Sequence, residues 1–202
     1  MTGQKKTVMG RPRAFDADVA LERAMGVFWE QGYEGASLTD LTAAMGISRT
    51  SMYSAFGNKE DLFAKALQRY IEGPASYGPR ALQEPTAREV AAAVLEGAIN
   101  TTTSPDGPAG CLTVQGSLAA GATARVIRDL LIAWRNEAVV HLRDRFQRAI
   151  DEGDLPDDTD PSVLARYIIT VSNGIAVQAA SGASPADLRH VADAALRNWP
   201  PA

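Results

Sequence analysis

SLTDLTAAMGISRTSMYSAFGNK, residues 37–59, carries the start and stop signals of two successive helices. Ser37 is placed to cap a helix, and Asp40 three residues on completes a capping box ahead of Leu38, Leu41 and Met45, which repeat at helical spacing. Glycine adopts a positive φ without steric penalty, so Gly46 ends that helix, Ile47 turns back toward the core and Ser48 caps a second one. Two short helices joined by a tight turn make a helix-turn-helix.

At about 100° per residue, Arg49, Thr50, Tyr53 and Ser54 share one face of the second helix, with Met52 and Ala55 on the other and Ser51 at the border. The polar face suits a DNA major groove. It offers a cation for phosphate or guanine, hydroxyls for phosphate or base edges, and an aromatic ring with a polar tip. Ser37, Thr39 and Ser48 at the helix starts join this DNA-contacting set. Asn58 with Asp61 opens a further helix, and Lys59 lies in its first turn, where backbone N–H groups already favour a phosphate.

Working outward, FWEQGYEGASL precedes the two helices, MGIS forms the turn, and SMYSAFGNKEDLF runs from the second helix into the next. On these runs, Asp16 to Leu67 resembles the N-terminal DNA-binding domain of the tetracycline-repressor (TetR) family. The resemblance covers roughly the first third of the chain. It implies an all-α protein in which an N-terminal helix-turn-helix three-helix domain is followed by a C-terminal helical bundle. It further implies a homodimer joined through a four-helix bundle of the last two helices, and an inducer bound in the C-terminal domain.

The 202 residues, 46% of them hydrophobic, are enough for one or two domains with cores of their own. The net charge of −4 hides a local excess: residues 1 to 15 carry Lys5, Lys6, Arg11 and Arg13 and no acidic residue. Residues 1–14 read as a flexible basic arm. Arg11 and Arg13 flank Pro12 just before the first helix, where an arginine could enter a minor groove; a solvated tail is the other reading. The single cysteine, Cys111, excludes an internal disulfide, and His141 and His190 give no metal-ligand spacing. Neither a leader nor an uninterrupted run of about 18 apolar residues is present, so a cytoplasmic protein with no membrane association is expected.

Asp16 is expected to cap the first helix, with Phe15 and Ala20 as a hydrophobic staple and Val19, Ala20, Ala24, Val27 and Phe28 as its packing stripe up to Gly32. The division predicted is a helix-turn-helix domain over 15–57, a connecting helix over 58–73 and a ligand-binding and dimerisation domain over 74–202. Gly73-Pro74 interrupts the connecting helix, and the proline-rich segment up to Pro85 reads equally as linker or as broken helix. Thr86 and Glu89 open a helix with a narrow stripe of small residues including Gly97, which leaves room nearby. A loop over 101–110 leads to a short helix from Cys111 to Ala120. Thr123 is expected to cap the longest helix, running to Gly153 and spanning roughly 45 Å. Asp160-Pro161 and Ser184-Pro185 start the last two, for about nine helices in total.

Those last two helices carry apolar residues on more than one side, which points to a core and a partner subunit together. Tyr167, Val171, Ile175, Gln178, Leu188, Val191 and Leu196 are the dimer-interface candidates. Polar-bearing side chains on apolar stripes, namely Tyr70, Cys111, Gln115, Trp134, Tyr167 and Asn173, are the ligand-pocket candidates; satisfied core hydrogen bonds are the alternative for each. Cys111, after Gly110 at a helix start, is either a small buried hydrophobe or an electrophile or redox sensor.

No Walker loop, GxGxxG after a strand, nucleophile elbow or HExxH occurs, so no enzyme, cofactor or metal site is expected. What remains is a regulator, in the first instance a repressor that binds a palindromic double-stranded DNA operator and is released by a small-molecule inducer. A DNA-binding protein without such a ligand is the alternative.

Overall fold

The computed structural model describes residues 15–118, 124–197, 199 and 200, and among these there is helix and no strand. The N-terminal helix-turn-helix unit, the head, comprises α1 (Ala17–Gly35), α2 (Leu38–Met45) and α3 (Arg49–Phe56), and α4 (Lys59–Glu72) leads from it into the body. The body contains α5 (Tyr77–Ala81), α6 (Ala87–Thr102), α7 (Leu112–Leu118), α8 (Arg125–Asp151), α9 (Pro161–Ala180) and α10 (Pro185–Arg197). Nine of these have seven residues or more, and the tenth, five-residue α5, is what the segment after Gly73-Pro74 becomes: a broken helix that packs through Ala81. Arg11, Arg13 and Thr123 lie outside the described residues. α8 starts at Arg125 without a side-chain cap at Ala124, and its 27 residues reach about 40 Å.

Side-chain caps fix the helix starts where sequence places them. Ser37 with Asp40, Asn58 with Asp61 and Thr86 with Glu89 each form a reciprocal capping box. Asp16 and Asp160 accept from the first-turn N–H groups of α1 and α9, and Ser184 Oγ accepts from Asp187 N. The first helix is broken at Gly32, whose φ 71° and ψ 175° are non-helical, and a further short turn follows it to Gly35. Its packing stripe is Ala20, Ala24, Met25, Phe28 and Trp29. Val19 is exposed, because Asp16 starts the helix in a register that turns Val19 to solvent, and Phe15 packs on Phe56 (ring centroids 6.4 Å).

Two cores result. One lies in the body among α6, α8, α9 and α10, with Val90, Leu95, Ile99, Leu142, Phe146, Leu164 and Ile168 inside and Trp199 against Phe146. The other joins Phe28, Trp29, Met52, Phe63 and Tyr70 of the first four helices to Leu112 before α8 and to Ile127 and Leu131 on it. The head therefore shares its core with the body across α4. α9 is long and apolar enough by composition to cross a membrane, but Leu164, Ala165, Ile168, Ile175, Ala176 and Ala179 are used in the chain's own core.

Arg145 of α8 holds the entry to α6. It is 5% exposed and donates from Nη2 to the carbonyls of Glu84 (2.7 Å) and Pro85 (3.0 Å), while Nε and Nη1 have no hydrogen-bond partner among the described residues. Burial lowers its pKa, and Arg148 nearby adds to that.

Candidate nucleic-acid interface and effector cavity

The helix-turn-helix is built by local chemistry. Gly46 takes the left-handed conformation (φ 69°, ψ 30°) at the end of α2, and Ile47 N closes the turn onto Thr42 O. Ser48 Oγ then accepts from Ser51 N at 3.1 Å, and Met52 and Phe56 are buried while the other side of α3 faces outward. At the far end, Gly57 (φ 85°) turns the chain into α4 so tightly that a Cβ there would collide with Asp61, the capping carboxylate. Lys65 Nζ donates to Phe56 O at 2.9 Å and satisfies a carbonyl at the end of α3.

Seven candidates for DNA contact lie exposed together: Ser37, Thr39, Ser48, Arg49, Thr50, Tyr53 and Ser54. Ser51 is half-buried at the border of the face. Thr50, Tyr53 and Ser54 make no side-chain hydrogen bond among the described residues, and Tyr53 is 47% exposed. Arg49 reaches back across the turn and donates from Nη2 to Thr39 Oγ1 at 2.9 Å, which ties α3 to α2 along the face. Ser37 donates its hydroxyl proton to Asp40 (2.6 Å), so that group offers a ligand only its remaining lone pairs.

Lys59 departs from expectation. Its Nζ lies 4.5 Å from the centroid of the Tyr33 ring instead of standing free at the start of α4. Partial burial lowers its pKa, against the opposing pull of Glu60 and Glu34. Tyr33 is pushed up to about 12, by burial first and then by its hydrogen bond to Glu60. The lysine thus also fastens α4 to the end of α1.

Behind the head, a cavity of about 390 Å³ opens among α4, α5, α6, α8, α9 and the start of α7. Tyr70, Cys111, Trp134 and Asn173 line it. Gln115 and Tyr167 do not. Gln115 Nε2 donates to Ala109 O (3.1 Å) and closes the loop before α7, whereas Tyr167 OH donates to Ala195 O (3.5 Å) between α9 and α10. Both take the satisfied hydrogen bond that was their alternative. Sequence reading missed Tyr77, which lies in the proline-rich segment and bonds Ser172; burial raises its pKa well above the ordinary phenol value. The signal was Gly97: a Cβ there would run into the Tyr77 ring, so the small-residue stripe of α6 is the bed of this tyrosine.

Cavity and head are connected by two hydrogen bonds. Tyr70 OH at the end of α4 donates to Cys111 Sγ (3.3 Å), and the sulfur also meets Thr113 Oγ1 (3.0 Å). Trp29 of α1 donates from Nε1 to Gly110 O at 2.9 Å, with its ring edge-on to Tyr70 (centroids 4.8 Å). In the segment 110–113, Cys111 and Thr113 therefore line the cavity while Gly110 and Cys111 attach the head.

The dimer candidates divide. Ile175, Leu188 and Leu196 are buried in the chain's own core and have no surface to offer a second copy. The physical reason is that α9 and α10 pack on α6 and on each other, which consumes the face that sequence alone could not allocate. Tyr167 and Val171 are half-buried against the same core. Gln178 and Val191 remain exposed, alongside Val163 and Val177, which sequence reading did not select.

Comparison with known proteins agrees with this architecture. Residues 20–66 match the family model of bacterial regulatory proteins of the tetR family, and residues 88–195 match the tetracyclin repressor-like C-terminal domain. The HTH-type transcriptional repressor ComR of Escherichia coli (strain K12) is 32% identical over 197 residues, covering 96% of this chain and 94% of ComR. The HTH-type transcriptional regulator YezE of Bacillus subtilis (strain 168) is 34% identical over 167 residues, covering 79% of this chain and 84% of YezE. Among solved structures, a cysteine-substituted form of the TetR family transcriptional regulator CifR, complexed with 26-bp double-strand operator DNA, is 45% identical with a TM-score of 0.90, covering 94% of this chain and 100% of that chain.

Proposed function

Because the chain belongs to the TetR family of bacterial regulatory proteins, we propose that it is a transcriptional repressor that binds a palindromic operator as a homodimer and leaves it when a small molecule fills the 390 Å³ cavity. The observation that carries the DNA reading is the outward side of α3. Among the described residues Thr50, Tyr53 and Ser54 make no side-chain hydrogen bond there beside Arg49, on a helix fixed at both ends by Ser48 and Gly57. The CifR complex with operator DNA supports it. In this reading 15–57 is the reading domain, 58–73 the connector and 74–202 the effector and dimer domain; Arg11 and Arg13 add contacts from the basic arm, and the protein acts in the cytoplasm.

Two copies meet through the exposed side of α9 and α10, where Val163, Val177, Gln178 and Val191 lie and a Cβ built on Gly174 would meet nothing within 4 Å beyond its own helix. A glycine on such a surface lets a second helix approach closely. Two heads then face half-sites roughly 34 Å apart. Release follows from the double role of residues 110–113: an occupant that displaces Cys111 or Tyr70 also moves the Gly110 carbonyl that Trp29 holds, and a shift of a few ångströms in each head loses simultaneous contact. Footprinting on the DNA flanking the protein's own gene tests the operator reading. Two protected half-sites one helical turn apart are expected; uniform, sequence-independent protection would contradict it.

One observation favours a second reading of release: Cys111 Sγ lies on the cavity wall, within reach of an electrophile that enters. Iodoacetamide would then alkylate the sulfur with loss of iodide and of the thiol proton to solvent, and lower operator affinity in the wild type but not in Cys111→Ala.

A further inference from the structure

The chemistry of the cavity wall narrows what it can hold, and this inference rests on the reading of that cavity as the effector site. Its charged lining residues, Arg135 and Glu137, and the titratable His141 are all on α8; Arg135 is half-buried and the other two are exposed, so none of the three is a fully buried counter-ion. The deep polar groups are already engaged. Tyr70 donates to Cys111, Thr113 meets the same sulfur, Tyr77 bonds Ser172, and Thr101 Oγ1 donates to Pro74 O at 2.8 Å. Burial holds both phenols well above their ordinary pKa, in keeping with surroundings that disfavour charge.

Beside the α8 groups Arg135, Glu137 and His141, two uncharged, half-buried lining groups have no hydrogen-bond partner among the described residues: the Asn173 amide on α9 and the Trp134 indole N–H on α8. Together they offer N–H donors and one carbonyl acceptor to an occupant. The remaining wall is aliphatic, with Ile71, Leu82, Val94, Leu142 and Ile169. A carboxylate or ammonium entering here would leave water with no buried counter-ion to meet it, at a cost that apolar contact does not offset. A neutral molecule loses little and gains apolar burial.

We infer that the effector is a small, uncharged, mainly apolar molecule with a single hydrogen-bonding oxygen, of the ketone, ester, ether or alcohol class, seated on Asn173 or Trp134.

An isosteric series tests this by calorimetry on the full chain at neutral pH: 4-phenyl-2-butanone, its carboxylate counterpart 3-phenylpropanoate and its ammonium counterpart 4-phenylbutan-2-amine. The ketone should bind at least tenfold tighter than either ion. Asn173→Leu or Trp134→Phe should lose fivefold or more of the ketone affinity with operator affinity unchanged. An ion that binds as tightly as the ketone, absence of binding by all three, or full ketone affinity in both variants would overturn the inference. Operator retention is read separately on the same samples. A ketone that binds without weakening operator affinity upholds the ligand class and contradicts release; operator loss driven only by the charged probes contradicts the ligand class and upholds release.

Discussion

Lys59 has a structural contact and a proposed one. Its ammonium over the Tyr33 ring ties the start of α4 to the end of α1, and the proposed DNA contact places a phosphate beside it at the N–H groups of the first turn. Lys59→Ala should cost about 0.5–1 kcal/mol of stability for the lost cation–π contact, and should reduce the salt dependence of operator binding by about one unit of slope. Tyr53→Ala differs in kind, because the exposed ring supports nothing in the chain. Operator affinity should fall by about 1–3 kcal/mol with the melting temperature unchanged. Thermal melts alongside binding isotherms at several salt concentrations check both, and unaltered binding in the two variants with helicity intact would remove α3 as the reading helix. The outward side of α3 was legible because its determinants are local: a cap and its partner three residues away, and a glycine at one turn. The cation–π contact was not, because it depends on how closely α1 and α4 pack 26 residues apart in sequence.

Helices were legible wherever they carried their own punctuation. Capping boxes at Ser37, Asn58 and Thr86 and the prolines after Asp160 and Ser184 mark starts that any tertiary arrangement must respect. The segment 74–85 carries no such signal, and α5 exists because Tyr77 finds its bed on Gly97 of α6, a contact across twenty residues. The same limit applies to the cavity. A polar group on an apolar stripe is equally consistent with a pocket or a private hydrogen bond; Trp134 and Asn173 took the first course, Gln115 and Tyr167 the second. At this scale Trp29 is the informative position. Trp29→Phe keeps the ring against Tyr70 and removes the bond to Gly110 O, so it should cost about 1 kcal/mol of stability. The affinity of the unliganded protein for operator should stay close to wild type, while the effect of a cavity ligand on that affinity shrinks. Unchanged coupling in Trp29→Phe would mean that the head senses the cavity by another route.

For the whole molecule, the allocation of apolar surface separates folding from assembly. Leu188 is 1% exposed within a single chain, so Leu188→Glu buries an unpaired carboxylate and should unfold the body, costing more than about 4 kcal/mol. Val177 is 44% exposed, so Val177→Glu should leave helicity intact and weaken self-association. Sedimentation velocity distinguishes the two, and a wild type that stays monomeric at micromolar concentration with and without operator would refute the homodimer. The assembly was the least legible level, because periodicity reports that α9 is apolar around much of its girth without saying which part its own chain will cover.

In the proposed mechanism the cavity and the outward face of α3 are linked through residues 110–113, which makes their antagonism reciprocal. Calorimetric titration of 4-phenyl-2-butanone into the full chain, alone and saturated with operator, measures it most directly. Affinity weaker by about 5- to 150-fold on the operator complex is the predicted result, corresponding to about 1–3 kcal/mol of coupling; equal affinities in the two titrations would contradict it.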